Sequence, residues 1–189
     1  LKQYMKKDSR IKVTFLSKNN GISENTNQAL ALCNGEYIAL MDHDDVLHKD
    51  ALYYCVYHLN QDHSIDVIYT DEDKMSADSS KYYYPHFKPG FNKELLQATN
   101  YISHFFLFKA DLLSLCGVFN SAFDGSQDHD FILRITDCAK NIYHIPYVLY
   151  HWRVHEQSSA GNGDNKNYTF EAAKNALTNR LTKSYPTAY

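Results

Sequence analysis

A chain of 189 residues is long enough for one ordinary domain that buries about 70% of its unfolded surface. Its formal net charge of -3 gives no electrostatic reason to expect nucleic acid as the main partner. No apolar run approaches the ~20 residues of a membrane-spanning helix. The four cysteines form no Cys-x-x-Cys pair, so we expect buried free thiols and a reducing cytoplasm rather than a zinc site.

Strands and helices alternate along the first half of the chain. The predicted elements are a helix over residues 1–9, a strand over 11–16, a helix over 24–33, a strand over 36–41, a helix over 50–59 and a strand over 66–70. The strand over 36–41 is a short apolar run, which is typical of a strand buried on both faces of a parallel sheet. This alternation predicts an α/β fold with a largely parallel sheet.

The second half of the chain is more mixed. The predicted elements are a helical turn at 94–98, a strand at 101–109, helices at 110–116 and 126–139, short strands at 142–145 and 148–152, and a final helix at 168–183. Residues 75–91 are polar and then tyrosine-rich, and they predict a long ordered loop of the kind that is usually functional. We expect one domain over residues 1–160, followed by a linker and a C-terminal helix over 161–189.

Three carboxylates follow the apolar run at 36–41 within four residues: Asp42, Asp44 and Asp45. The carboxyl ends of strands are where open α/β sheets place their ligands, and crowded carboxylates repel one another unless a cation or hydrogen-bond donors hold them. The pattern therefore predicts a site for Mg²⁺ or Mn²⁺. An acidic turn that caps the next helix is the alternative, and for an isolated Asp-x-Asp it is the more common one.

Four polar clusters each follow a strand or open a helix. They read Asp-His-Asp-Asp at 42–45, Tyr-Thr-Asp-Glu-Asp-Lys at 69–74, Gly-Ser-Gln-Asp-His-Asp at 125–130 and Tyr-His-Trp-Arg-Val-His at 150–155. This ordered set resembles glycosyltransferase family 2, and most closely the bacterial members that build O-antigen, capsule or rhamnose-containing polysaccharides. The resemblance covers residues 10–160. It implies the GT-A fold of nucleotide-diphospho-sugar transferases, a Rossmann-like three-layer α/β sandwich with a mixed, mostly parallel sheet.

The resemblance also implies that part of the fold is missing. GT-A enzymes begin with a strand, a helix and a second strand that form the nucleobase and ribose pocket, whereas this chain begins at Leu1 in the helix that follows them. Those strands would lie between the strands predicted at 11–16 and 36–41. We therefore expect a sheet that lacks its first two strands and an incomplete donor site. The strand at 11–16 would be displaced, disordered or paired with a second copy, so a dimer through exposed strands is compatible with the sequence.

Several site residues follow from the matched motifs. Asp44 matches the main metal ligand of the family, and Asp42 matches a position that contacts the donor ribose or the metal. His155 matches a C-terminal histidine that reaches the metal or the diphosphate, and His151 is the competing candidate. Arg153 beside them favours a phosphate site, because a guanidinium binds phosphate oxygens in pairs.

The remaining matches concern the donor, the base and the acceptor. Residues that match a donor-binding segment are Asn19, Gly21 and Asn27, although Thr26 stands where an arginine is common. Asp128 matches the catalytic base, and a helix that begins at Ser126 would place it in the first turn, where the helix dipole favours a carboxylate. The residues expected at the acceptor or sugar side are Asp71, Asp73, Gln127 and His104. A solvated acidic turn is an equally good interpretation of Asp71 and Asp73.

These matches imply a metal-dependent, inverting glycosyltransferase in the cytoplasm, where peripheral association with the inner face of the plasma membrane is compatible with its role. The donor would be a UDP- or dTDP-linked sugar and the acceptor a glycan or a lipid-linked saccharide. Two alternatives remain. The chain is an inactive fragment that binds metal or carbohydrate, or it is a phosphotransferase with an aspartate-rich loop, although it lacks a glycine-rich phosphate cradle.

Overall fold

The computed structural model of the chain describes residues 1–154 and 166–184. Across these residues a single mixed sheet runs in the order β1–β5–β3–β6–β2, and β4 pairs with the second half of β3. The strands are β1 Tyr37–Leu40, β2 Val46–Leu47, β3 Val67–Ser76, β4 Tyr82–His86, β5 Phe106–Lys109 and β6 Ile142–Val154. The sheet positions every part of the candidate site.

The helices cover both faces of this sheet. They are α1 Lys2–Lys7, α2 Ile22–Leu30, α3 Ala51–Gln61, α4 Lys93–Ala98, α5 Leu113–Cys116, α6 Gln127–Cys138 and α7 Lys166–Ser184, with short 3₁₀ turns at Ala110–Leu112 and Ser121–Phe123. Asn92 caps α4, because its side chain accepts a hydrogen bond from the backbone N–H of Leu95 at 2.7 Å. Within the part of the chain that the structure describes, every helix is too short or too polar to cross a bilayer.

Alternate residues of the central strands supply two cores, one on each face of the sheet. Tyr69 and Phe108 pack with Phe131 of α6 on one face, while Ile68 and Leu107 pack on the other face with the helix α3. Neighbouring residues of a strand point to opposite faces, so these apolar runs bury both sides. The α/β class and the layers of helices over both faces agree with the prediction.

The prediction of a mostly parallel sheet is wrong. Only β3 and β6 form a parallel pair among the described strands, and the other pairs are antiparallel. The physical reason is that β5 lies between β1 and β3 and runs against both of them. As a result β1, β3 and β6 still point in the same direction, although β3 and β6 extend beyond the end of β1.

Three boundaries in the middle of the sheet also differ from the prediction. The strand predicted to end at residue 70 continues to Ser76, so Asp71 and Asp73 lie within β3 rather than in a turn after it. The two strands predicted on either side of Pro146 are one strand, β6, because Pro146 and Tyr147 bulge out where Thr70 pairs with Ile145 and Asp71 with Val148. The loop predicted at 75–91 contains β4.

Residues 11–16 do not form the predicted strand. They have no sheet partner among the described residues, and Phe15 is 62% exposed. A cavity of about 550 Å³ lies between this segment and β1, so the displacement expected for the segment is observed although the strand is not. Among the described strands, β1 pairs only with β5, and its other edge faces that cavity.

The helix α7 packs against α6. Ala172 and Ala176 are buried there, and Leu177 packs against the core on that face. Arg180 forms an ion pair with Asp137 of α6, with 2.6 Å between the nearest nitrogen and oxygen. Most of the linker predicted before this helix lies outside the described residues, so the boundary at residue 160 stays a prediction.

Candidate functional site

Residues 42–45, which follow β1 and are called the acidic turn below, are anchored to β6 by the buried carboxylate of Asp45. Asp45 accepts hydrogen bonds from the hydroxyl of Tyr150 and from the backbone N–H of Arg153, both on β6. Burial raises the pKa of Asp45, and these hydrogen bonds only partly oppose that effect. The backbone N–H of Asp42 donates to the same Tyr150 hydroxyl at 3.2 Å. The turn is therefore fixed to β6, while the side chain of Asp42 stays 58% exposed.

A histidine from a distant loop faces this turn. The Nε2 atom of His104 lies 3.9 Å from a carboxylate oxygen of Asp42. The His104 ring stacks on Tyr150 with 4.9 Å between ring centroids and 20° between planes, and the edge of Trp152 approaches it. The ring is thus held by aromatic packing on β6 and directed at the acidic turn.

Asp42, Asp45 and His104 form a group that fits a divalent cation. One ligand atom from each lies within 4.8 Å of the others. Two carboxylates and an imidazole are donors that suit Mn²⁺ or Mg²⁺. Both oxygens of Asp45 already accept a hydrogen bond, but a carboxylate oxygen has a second lone pair.

This group differs from the predicted set of Asp42, Asp44 and His155. The carboxylate of Asp44 is 31% exposed and lies 3.9 Å from the ring of His43. His155 lies outside the described residues. His104, which we expect at the acceptor side, is also within reach of the acidic turn, and its acceptor role stays a prediction.

The predicted base, Asp128, is linked to His104 through one loop. Asp128 lies in the first turn of α6, and its carboxylate accepts a hydrogen bond from the side-chain amide of Asn100 at 3.0 Å. The amide oxygen of Asn100 accepts from the backbone N–H of Ser103, the residue before His104. The loop of residues 100–105 therefore lies between the carboxylate of Asp128 and the acidic turn.

The neighbours of Asp128 have structural roles. The buried Asp130 forms an ion pair with the partly exposed Arg134, which also donates to the carbonyls of Cys116 and Val118. Asp130 thus helps to hold α6 against the segment that contains Cys116 and Val118. The side chain of Gln127 accepts a hydrogen bond from the backbone N–H of Gly125 at 2.8 Å, so it folds over the turn that opens α6.

Two aspartates expected at the acceptor side pair with histidines of β6. Asp71 is 2% exposed and accepts from His144 at 2.7 Å and from the backbone N–H of Lys88 at 2.9 Å. Asp73 lies 2.6 Å from the Nδ1 atom of His151. This pairing excludes the interpretation of Asp71 as a solvated turn residue. It also commits one ring nitrogen of His151 to a carboxylate.

The residues expected at the donor side divide into two groups. Asn19 and Gly21 line a cleft of about 630 Å³ that extends to Met41 and His43 beside the acidic turn. The amide of Asn27 turns away, because it both donates to and accepts from the backbone of Phe119. Gly21 has a φ of 93°, and a Cβ there would lie 2.8 Å from a carboxylate oxygen of Asp124. Gly21 is thus required by the backbone and by close packing.

Arg153 holds the acidic turn in place. Its Nε atom donates to the carbonyl of Asp44 at 2.6 Å, and one terminal nitrogen donates to the carbonyl of Ala77 and the hydroxyl of Ser79. The guanidinium therefore joins the acidic turn to the end of β3. Its predicted role in donor binding stays a prediction.

Several residues of the site were not singled out from the sequence. They are Lys88, Asn100 and Tyr150. Lys88 and Asn100 lie within residues 10–160, which the family resemblance covers, and that is the signal that the sequence offers for them. Their roles depend on contacts with Glu72 and Asp128, which are distant in the sequence.

Comparisons with known proteins place these features in context. The family model described as "Glycosyl transferase family 2" matches residues 1–116. The uncharacterized protein y4gI of Sinorhizobium fredii is 39% identical over 97% of this chain and 20% of its own length. The O-antigen biosynthesis protein RfbC of Myxococcus xanthus is 30% identical over 97% of this chain and 14% of its own length. The chondroitin synthase of Escherichia coli is 28% identical over 79% of this chain and 22% of its own length.

Solved structures give the same fold. The crystal structure of Staphylococcus aureus TarS superposes with a TM-score of 0.70 at 18% identity, covering 96% of this chain and 31% of TarS. TarS residues 1–349 in complex with UDP-GlcNAc superpose with a TM-score of 0.63 at 17% identity, covering 93% of this chain and 56% of that one. This chain therefore spans only part of the length of each of these relatives.

Proposed function

This chain belongs to glycosyltransferase family 2, and on that premise we propose that it is part of a metal-dependent, inverting glycosyltransferase. The enzyme moves a sugar from a nucleotide-linked donor to a glycan or lipid-linked acceptor during synthesis of a bacterial surface polysaccharide. The likeness to RfbC and to a chondroitin synthase supports polysaccharide synthesis as the setting.

One observation carries the proposal. The loop of residues 100–105 joins the carboxylate of Asp128 to His104, which faces the acidic turn. Sugar transfer needs a group that takes the proton of an acceptor hydroxyl and a group that stabilises a departing diphosphate. This arrangement provides a carboxylate for the first task and a cation site for the second.

The residues that would hold the cation are Asp42, Asp45 and His104, with Asp44 as the ligand that the family resemblance implies. A divalent ion there supplies Lewis-acid stabilisation of the negative charge on the leaving diphosphate. Asp42 is the most exposed carboxylate of the group and faces solvent, where a donor arrives. The buried Asp45 keeps the turn in place through Tyr150 and β6.

Asp128 takes the proton from the acceptor hydroxyl as that oxygen attacks the anomeric carbon. One carbon–oxygen bond forms to the acceptor, the bond to the diphosphate breaks, and the nucleoside diphosphate leaves. Asn100 donates a hydrogen bond to Asp128 and so fixes the carboxylate in place without taking up its second oxygen. The attack from the opposite face inverts the anomeric centre.

A UDP-linked donor is the first choice, and a dTDP-linked donor is the second. The TarS structure with UDP-GlcNAc supports the first choice, since the two chains share a fold. The cleft that Asn19 and Gly21 line beside the acidic turn is where the donor would enter.

The test is sugar transfer by the full-length protein with a panel of UDP- and dTDP-linked sugars in Mn²⁺. Asp128→Asn should lower kcat for transfer by about 10²–10⁴-fold, because the base is lost, while KM for the donor stays the same. Asp111→Asn is the matched control, because Asp111 is exposed and lies at the other end of the strands from the acidic turn. It follows the end of β5, which pairs with the start of β1. Unchanged transfer by Asp128→Asn would refute the base assignment. Metal binding without any transfer would favour a binding module.

A further inference from the structure

Lys88 is a buried cation between β3 and the loop of residues 100–105. Its side chain is fully buried, and its ammonium group donates to three acceptors: Glu72 at 3.1 Å, the carbonyl of Ile102 at 2.6 Å and the carbonyl of His104. An ammonium group has three protons, so each of them has a partner. Such an arrangement satisfies a buried charge that would otherwise be costly.

The pair of Lys88 and Glu72 holds the backbone of His104 on both sides. Lys88 binds the carbonyl of His104, and the carboxylate of Glu72 accepts from the backbone N–H of His104 at 3.2 Å. Ser103, just before it, has a φ of 39°, a conformation that is uncommon for residues other than glycine. The loop thus adopts an irregular path that the buried ion pair fixes in place.

The side chain of His104 emerges from this clamp toward the acidic turn. Its ring stacks on Tyr150 and its Nε2 atom lies 3.9 Å from Asp42. The two hydrogen bonds to the His104 backbone fix the direction of its Cα–Cβ bond, and the stack on Tyr150 holds the ring in that direction. Burial lowers the pKa of Lys88, and the neighbouring charges of Glu72 and Asp71 oppose that effect.

We propose that Lys88 is a positioning residue, which holds the loop of residues 100–105 so that His104 reaches the cation and donor side of the site. The proposal rests on the proposed function, because it assigns Lys88 a role in that site. Lys88 acts through His104 and touches neither substrate nor metal. Its partner Glu72 completes the clamp.

A double-mutant cycle tests the coupling between Lys88 and His104. Mn²⁺ affinity is measured by calorimetry for the wild type, Lys88→Met, His104→Ala and the double variant. Lys88→Met should weaken Mn²⁺ binding by about 10-fold, as is usual when a residue that orients a ligand is lost. In the His104→Ala background the same change should have less than about a 2-fold effect. Lys81→Met is the control, since the Lys81 side chain is exposed, and it should bind Mn²⁺ like the wild type.

The cycle separates positioning from a purely structural role. Equal effects of Lys88→Met in both backgrounds, or wild-type Mn²⁺ affinity in folded Lys88→Met, would overturn the proposal. If the single variant does not fold, Lys88→Met combined with Glu72→Gln removes both buried charges and takes its place.

A second measurement does not depend on metal. NMR contacts between the rings of His104 and Tyr150 should be present in the wild type and in Lys81→Met but lost in Lys88→Met. Their persistence in Lys88→Met would contradict the clamp. If the wild type bound no Mn²⁺, the metal part of the proposed function would fail, and these ring contacts would still decide the role of Lys88.

Discussion

At the scale of single residues, the site is held by buried polar side chains whose partners lie far away in the sequence. Asp45 meets Tyr150 and Arg153, and Lys88 meets Glu72 and His104. A buried donor that loses its acceptor keeps the full cost of its lost hydration. Substitutions at these positions therefore change stability as well as binding, and controls at exposed positions are needed to separate the two.

Asp45→Asn tests the anchor of the acidic turn. In the wild type, the hydroxyl of Tyr150 and the backbone N–H of Arg153 each donate to a different oxygen of Asp45. Asparagine replaces one of these oxygens by an NH₂ group, which cannot accept a hydrogen bond, so one buried donor is left unpaired. The free energy of unfolding in urea should fall by about 1–3 kcal/mol. Asp50→Asn, at an acid with a 41% exposed side chain, should change it by less than about 0.5 kcal/mol. Equal losses in the two variants would contradict the anchoring role.

Asn27→Ala separates a structural role from donor binding. Both halves of the Asn27 amide bind the backbone of Phe119, which joins α2 to the segment before α6. The variant should lose about 1–3 kcal/mol of unfolding free energy, because two backbone groups lose their partner. KM for the donor should remain within about 2-fold of wild type at a temperature where the variant is folded.

Glu24→Gln, at an exposed position of α2 outside both cavities, is the control for this substitution; it should change the free energy of unfolding by less than about 0.5 kcal/mol and leave KM unchanged. A large rise in KM with little change in stability would show that Asn27 contacts the donor, as the family resemblance implies. Melting curves and initial-rate kinetics on the same preparations give both values.

The sequence predicts some site residues and not others for a physical reason. Asp42 and Asp128 belong to short motifs whose local setting, a strand end and a helix start, is visible in the sequence. The roles of Asn100 and Lys88 follow from contacts with Asp128 and Glu72 across the fold, and no periodicity encodes those contacts. Three-dimensional packing was needed to bring His104 beside Asp42.

At the scale of elements, an ion pair between Arg180 of α7 and Asp137 of α6 helps to hold the two helices together. Burial alone would raise the pKa of Asp137, but hydrogen bonds from Arg180 and Lys93 outweigh it, and the pKa is lowered below its ordinary value of 3.8. A lowered pKa stabilises the folded state above the unfolded value, and that contribution is lost as pH falls through the folded value.

We therefore expect the free energy of unfolding to fall more steeply below about pH 4 in the wild type than in Asp137→Asn. The difference should be about 1 kcal/mol or less, since the pair is partly exposed and screened by water. Urea unfolding at a series of pH values measures it. Parallel pH profiles for the two proteins would show that the pair contributes nothing to docking of α7.

Element types were predicted well where local pattern decides them. The amphipathic helix α6 and the apolar strand β1 lie within two residues of their predicted bounds. The single strand β6 and the strand β4 were missed, because a bulge at Pro146 and pairing with β3 override local signals. Residues 11–16 have a strand-like pattern but pair with no strand in the part of the chain that the structure describes.

At the scale of the whole molecule, the fold class was predictable and the strand order was not. Alternating strands and helices indicate α/β, but nothing in the local pattern of residues 106–109 shows that β5 enters the sheet between β1 and β3. The antiparallel entry of β5 is what brings the loop of residues 100–105 beside the end of β1 and the first half of β3, because Phe106 pairs with Leu40 on one side and with Tyr69 on the other. The site depends on this feature.

The long parallel pairing of β3 with β6 has a consequence for how the chain folds. Val67 pairs with Ile142 and Ser76 with Val154, so the centre of the sheet closes only when two distant parts of the chain meet. Non-local strand pairs cost loop-closure entropy before they give any stability, and they fold slowly. During synthesis β3 emerges well before β6. The edge of β3 that pairs with β6 therefore has no partner until β6 has been made. Chaperone dependence and slow refolding are therefore expected of this chain.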